Sequence, residues 1–329
     1  MNVQPRRIRT DYEKRLPLLE GFRESTVFVV ARELRLSRVE YLRVESRVKE
    51  LKSIIEKAER KGVSDPLDAF DDIVGLRVVT YLKRDIETVK AAMASCLDVI
   101  KIDDKVNELP TPENFDYQAI HLTFRLRDHY KGPHYDDFKG MVGELQIRSA
   151  AMDAWAVVAH GLAYRSDQEL PPELRRKLAA VSAGYYMADE ALDDVANASD
   201  ALREDWERAI AEADLAAVGV NTLSLTEYLS LRLSARRVTD AAIVAGIASE
   251  LACHGYATMD QVEASLGFGL KAAEALESDR LAREERTAPY SAGPFLLLAV
   301  NLADVEFASR HGEDVLVRER DQFAHLVKD

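Results

Sequence analysis

The sequence predicts an α+β fold, a mixed β-sheet flanked by helices in the first half of the chain and an all-helical region in the second. Three observations carry this. Five short segments before residue 150 read as strands, several of them alternating apolar and polar side chains, and the stretches around them repeat at helical spacing. Beyond Pro171-Pro172 only helix-period patterns occur, rich in Ala, Leu and Glu. The predicted domains are residues 1–168 and 169–329.

Taken in order, Leu16, Leu19, Phe22, Val27, Val30 and Leu34 fall on one face of a helix over 11–35. Val39 to Lys49 alternates: Leu42, Val44 and Val48 point one way, and Arg43, Glu45, Arg47 and Lys49 the other, which is a strand with a charged face. Glu50 to Arg60 is a helix that Lys61-Gly62 ends. Gly75 to Leu82 is a β-branched strand, Asp85 to Cys96 a helix with Asp85 as its cap, and Asp98 to Lys105 a strand. Val106 to Asp116, with Pro110, Pro112 and Asn114, reads as a loop. Strands at Ala119–Leu126 and Val142–Arg148 lead into a helix to about Tyr164. On that helix the expected buried face is Ala151, Trp155, Val158 and Leu162. The helical half is expected to break near Gly219, Gly255, Gly267, Pro289 and Gly293-Pro294, with Ser278–Pro294 as a mobile loop.

A chain of 329 residues and 36.8 kDa buries a substantial core. Its longest apolar run, Phe295 to Val300, is too short to cross a bilayer, and no signal-type segment follows the basic start, so the expected location is cytoplasmic. Cys96 and Cys253 have no metal-ligand spacing and are expected to be buried thiols. The formal charge of −13 disfavours a general polyanion binder, yet residues 1–60 hold 15 Lys/Arg against 10 Asp/Glu. That basic end can receive phosphates locally.

The chemistry lies on the strands. On Val142–Arg148, Glu144, Gln146 and Arg148 share one face while Leu145 and Ile147 share the other. Asp72 stands just before the strand that carries Arg77. Two carboxylates on neighbouring strands suit a shared Mg²⁺, which takes oxygen ligands and bridges to phosphates. Phosphoryl-type transfer needs a metal, cations around the phosphates and a group that orients the attacking hydroxyl. Asp72, Glu144 and the Arg47/Lys49 face supply those classes. Singly, an acid before a strand is more often a cap, a lone Tyr117 is packing and a lone His121 is a satisfied polar group. Their joint order and spacing change that balance. No Gly-rich loop with Lys-Ser/Thr is present, which disfavours a P-loop enzyme.

Asp72-Ile-Val-Gly75-Leu-Arg77, Tyr117-Gln-Ala-Ile-His121, Glu144-Leu-Gln146-Ile-Arg148 and Trp155-Ala-Val-Val-Ala-His160, preceded by Arg47-Val48-Lys49, resemble the nucleotidyltransferase-like synthetase domain of the RelA/SpoT alarmone family over residues 40–165. The resemblance implies an ATP-dependent pyrophosphokinase that moves a diphosphate from ATP to the ribose 3′-hydroxyl of GDP or GTP, with Mg²⁺ as cofactor. It implies that Arg47 and Arg77 hold the adenine, that Lys49 and Ser53 contact the ATP phosphates, and that Asp72 and Glu144 ligate the metal, with Glu144 also the candidate base. Tyr117 would stack on the acceptor guanine, with His121, Gln146, Asp153 and His160 also on the acceptor side. A homo-oligomer is a further expectation of the family. Hydrolysis is not expected, since no His-Asp dipeptide occurs.

The chain departs from the family in the loop Leu109 to Ala119. Asp116 replaces the usual Gly, Ala119 replaces a Ser, and Glu108, Glu113 and Asp116 replace basic character with acidic. Such a loop repels acceptor phosphates. Two other readings therefore stand beside the first: a toxin-like enzyme that modifies the 3′ end of tRNA, and a non-catalytic nucleotide-binding scaffold.

Overall fold

The computed structural model describes residues 4–104, 106, 119–163, 171–212, 214–310 and 314–327; the side chains of 160–163, 175, 310 and 314–318 are outside that description. The chain divides into two compact units, Met1–Val195 and Ala196–Asp329.

In the first unit α1 (Pro5–Leu36) is longer than its apolar spacing suggests. Pro5 sits at its first positions, where a missing N–H costs nothing and φ is already helical. Then come β1 (Arg43–Val48), α2 (Leu51–Lys61), the single turn α3 (Pro66–Ala69), β2 (Val74–Thr80), α4 (Asp85–Cys96), β3 (Leu97–Asp104), β4 (Ile120–Leu126), β5 (Gly143–Ser149) and α5 (Ala150–Ala163). Residues 172–195 of α6 (Pro172–Ala211) complete it. Gly62 ends α2 in the left-handed region at φ 65°, as the Lys61-Gly62 stop predicts. The end residues of α4 are those predicted, but Asp85 is not its cap: Arg84 takes that position without a side-chain bond, and Asp85 begins the first turn.

The strands form one sheet in the order β1-β2-β5-β4-β3. Its central pair, β2 and β5, is parallel, with Gly75 opposite Glu144 and Arg77 opposite Gln146; every other pair is antiparallel. One face is apolar. Leu76, Val78, Leu145, Ile147, Leu122 and Phe124 are all at most 3% exposed, and α1 and α4 pack on the sheet there with Phe22, Val30, Leu34, Ile86 and Met93. Burying one such side chain stabilises the unit by roughly 1.5–3 kcal/mol. The registers place Arg43, Glu45, Arg47, Arg77, Glu144, Gln146, His121 and Thr123 on the other face. That polar face carries the chemistry.

At Gly143 the backbone approaches its neighbours closely: a Cβ there would lie 2.8 Å from the Phe124 ring and 3.2 Å from the Val74 carbonyl oxygen. The first turn of α5 buries Met152, Asp153 and Trp155, whereas Val158 is 42% exposed. Of the predicted buried face, Trp155 is buried and Ala151 half-buried but Val158 is exposed, and the Leu162 side chain lies outside the described residues.

The second unit, residues 196–329, opens with the last turns of α6 and continues with α7 (Thr222–Arg232), α8 (Ala241–Cys253), α9 (Met259–Ala282), α10 (Ala292–Ala303), α11 (Val305–Arg310) and α12 (Asp314–Phe323). Its own core gathers Leu225, Tyr228, Leu251, Met259, Val262, Leu276, Phe295 and Phe307. Gly219 and Gly255 lie between helices as predicted, but Gly267 lies inside α9, and Gly293-Pro294 open α10 rather than interrupt it. Of the predicted mobile stretch, Ser278–Ala282 belongs to α9 and Ala292–Pro294 to α10, and residues 283–291 link them. The linker between them is tied down: the Tyr290 N–H donates to Glu277 at 2.7 Å, and Arg280 donates to the Tyr290 hydroxyl at 2.6 Å. Cys96 is buried, and burial pushes its thiol up to about 12. Cys253 is exposed, against expectation, because it falls on the outer side of the last turn of α8.

Candidate active site

A cleft of about 390 Å³ opens on the polar face of the sheet, lined by Glu45, Ser46, Arg47, Asp72, Gly75, Leu76, Arg77, Glu144 and Gln146. The parallel pairing of β2 with β5 builds it, since Gly75 opposite Glu144 leaves space where a side chain would otherwise stand. Asp72 enters from the turn before β2. Its Oδ2 receives Lys49 at 2.6 Å, from the end of β1, and Lys57 at 2.8 Å, from the last half of α2. Lys57 in turn lies 4.6 Å above the Phe70 ring.

Burial would raise the Asp72 carboxyl, but the two lysine hydrogen bonds and charges outweigh it and hold the group below the usual carboxylate range. Oδ1 is buried without a hydrogen-bond partner in the protein. An ionised carboxylate with one oxygen clamped and the other without a protein partner has the chemistry of an oxygen ligand for a hard cation.

Glu144 is likewise held below its usual range, first by the hydrogen bond from His121 and then, against burial, by Gln146; the charge of Asp72 acts in the opposite sense. His121 Nδ1 is 3.4 Å and Gln146 Nε2 is 3.0 Å from the same oxygen, Oε1. The two carboxylates line one cleft, and the charge of Asp72 reaches Glu144. Among the described residues no group of three or more His, Cys, Asp or Glu is arranged to hold a metal. A cation here would rest on two carboxylates and on substrate phosphates, the way Mg²⁺ is commonly held.

Five of the expected site residues, Arg47, Asp72, Arg77, Glu144 and Gln146, thus line one cleft, and Lys49 and His121 join it through the two acids. Ser53 is half-buried on α2, one turn before Lys57, and is not part of the cleft lining. Asp153 is not among the residues that line the cleft. Its side chain is 3% exposed and is bonded to Arg43 and, at 3.0 Å, to Arg77, with Arg148 at 3.8 Å. Tyr117, the acidic loop positions 108–116, Tyr164 and the His160 side chain lie outside the described residues. The sequence reading left out of its site set Glu45, whose charge alternation on β1 was a signal, and Lys57, which stands ten residues after Arg47 and closes on Asp72 only in three dimensions.

Residues 46–169 match the family described as a region found in RelA/SpoT proteins. GTP pyrophosphokinase YjbM of Bacillus subtilis (strain 168) is 28% identical over 153 residues, 46% of this chain and 70% of that protein. YwaC of the same organism, also a GTP pyrophosphokinase, is 27% identical over 154 residues, 45% of this chain and 70% of that protein. Among solved structures, small alarmone synthetase 1 from Bacillus subtilis bound to its product pppGpp aligns with a TM-score of 0.46 at 24% identity, over 56% of this chain and 97% of that one. Small alarmone synthetase 2 from the same organism aligns with a TM-score of 0.48 at 24% identity, over 57% and 98%. The matched stretch, 46 to 169, carries every residue that lines the cleft except Glu45.

Proposed function

We propose that this chain is an ATP-dependent pyrophosphokinase that transfers the β,γ-diphosphate of ATP to the 3′-hydroxyl of GDP or GTP. The observation that carries the reading is the Asp72 carboxylate, clamped by Lys49 and Lys57 on Oδ2 and bare on Oδ1, on a cleft shared with Glu144, Arg47 and Arg77. Asp72 and Glu144 would hold Mg²⁺, which when bound neutralises charge on the transferring phosphates. Lys49 and Lys57 keep Asp72 ionised and add positive charge at the same end of the cleft. Arg47 and Arg77 offer planar guanidiniums for a nucleotide base or its phosphates. His121 and Gln146 fix one oxygen of Glu144, which orients the carboxylate toward an incoming hydroxyl. Its lowered pKa makes it a positioned acceptor of that proton rather than a strong base.

The acidic character of Glu108, Glu113 and Asp116 favours, as a second reading, an acceptor without a terminal diphosphate, such as the 3′ end of tRNA. One assay separates the two. The protein is incubated with Mg²⁺, ATP labelled in the β or γ phosphate, and GDP, GTP or bulk tRNA, and the species that gains label is identified. Label on GDP or GTP supports the first reading, label on tRNA alone replaces it with the second, and label on none leaves a nucleotide-binding scaffold.

A further inference from the structure

Behind the cleft wall sits an acid that the proposed chemistry does not use. Asp153 stands in the first turn of α5, which starts immediately where β5 ends, and its carboxylate meets Arg77 of β2. It is not among the residues lining the cleft. Its side chain is 3% exposed, and each oxygen is committed: Oδ2 accepts from Arg43, and Oδ1 accepts from Arg77 Nη1 at 3.0 Å, with Arg148 Nη1 3.8 Å away. Three guanidiniums therefore converge on one buried carboxylate. The second acid nearby is Glu45, 2.7 Å from Arg43 Nε and 3.5 Å from the same Arg77 Nη1.

A buried charge cluster of this composition has a definite mechanical consequence. Arg77 is the member that reaches the cleft; Arg43 and Arg148 do not line it. Both of its acidic contacts fall on Nη1, and its Nε is buried without a hydrogen-bond partner. Long flexible side chains such as arginine lose rotamer entropy when a ligand fixes them. A group that fixes the guanidinium beforehand removes that cost from binding.

We propose that Asp153 is a positioning residue: without touching a nucleotide, it holds the Arg77 guanidinium against the cleft wall in the orientation that receives the donor nucleotide. The assignment deepens the reading above and rests on it. Arg43 and Arg148 are then the counter-charges that make the anchor rigid, since they hold the same carboxylate from either side. An acid acting through one arginine differs from an acid that merely stabilises the fold: its effect on binding vanishes once that arginine is gone.

The test is a double-mutant cycle read by calorimetry, with Mg²⁺ and a non-hydrolysable methylene analogue of ATP as the probe. Asp153→Asn is expected to weaken binding about tenfold, Arg77→Ala at least as much, and the double variant no more than twofold beyond Arg77→Ala. Asp153→Glu retains the charge and shifts the carboxylate by one methylene, so the cycle can be completed even where Asp153→Asn does not fold. It is expected to weaken binding less, and again only while Arg77 is present. Losses that multiply with that of Arg77→Ala, or variants that bind like the parent protein, overturn the assignment while leaving the pyrophosphokinase reading standing. A parent protein that does not bind the analogue at all overturns both.

Discussion

At the scale of single residues, two of the three acids that line the cleft, Asp72 and Glu144, differ in what holds them. Asp72 is clamped by lysines, Glu144 by a histidine and an amide. Asp72→Asn and Glu144→Gln are each expected to abolish diphosphate transfer in the labelled-acceptor assay, with circular dichroism unchanged. Retained transfer in Glu144→Gln would remove its role as proton acceptor. Asp72→Asn also leaves Lys49 and Lys57 without their partner, and should cost about 1–3 kcal/mol of stability, between the ranges for exposed and buried pairs. The pH dependence follows from the sign of the shift. Because the folded-state pKa of Asp72 lies below its ordinary value, its stabilisation is complete above the unfolded value near 4 and is lost as pH falls through the folded one. Urea midpoints of the parent and Asp72→Asn should therefore differ by a constant amount above about pH 5 and converge below about pH 4. A gap independent of pH would contradict the clamp.

At the scale of elements, alternation of charged and apolar residues in some strands and β-branched residues in β2 made the strands legible, and the parallel pairing of β2 with β5 then brought Asp72, Arg77, Glu144 and Gln146 together. What pattern reading missed depends on contacts distant in sequence. Asp153 and its arginine partners are 76 and 110 residues apart, and no local periodicity encodes that approach. The same holds for α9. Gly267 looks like a breaker by composition, yet the packing of α9 on α10 carries the helix through it. Two residues on, Gly269 shows why a glycine is needed there at all: a Cβ at that position would fall 2.0 Å from the Ala299 carbonyl oxygen. Gly269→Ala must push the two helices apart and is expected to cost about 3 kcal/mol, at the upper end for overpacking. Chemical denaturation followed by circular dichroism measures it; a midpoint equal to the parent's would mean that the helices yield freely. Gly143→Ala meets the Phe124 ring instead and should cost about 1–3 kcal/mol by the same measure.

At the scale of the whole molecule, two hydrophobic cores match the expectation of a mixed region followed by a helical one. Among the described residues no helix is long and apolar enough to cross a membrane. Ligand linkage offers a test that does not require turnover. At 100 times its dissociation constant, a Mg²⁺–ATP analogue should stabilise the unit that binds it by about 2.7 kcal/mol, visible as a raised melting temperature. The rise should depend on Mg²⁺ in the parent protein and lose that dependence in Asp72→Asn. A Mg²⁺-independent rise in the parent would place the cation elsewhere.

The order of the sheet also bears on how the protein comes into being. The strand made last, β5, lies in the middle, between the β1-β2 and β4-β3 ladders. Until residue 149 has emerged from the ribosome, those two antiparallel pairs each present an uncovered edge and have no common partner. The cleft is consequently among the last features to exist during synthesis, since a nascent chain cut short before β5 lacks Glu144 and Gln146 and leaves two strand edges uncovered.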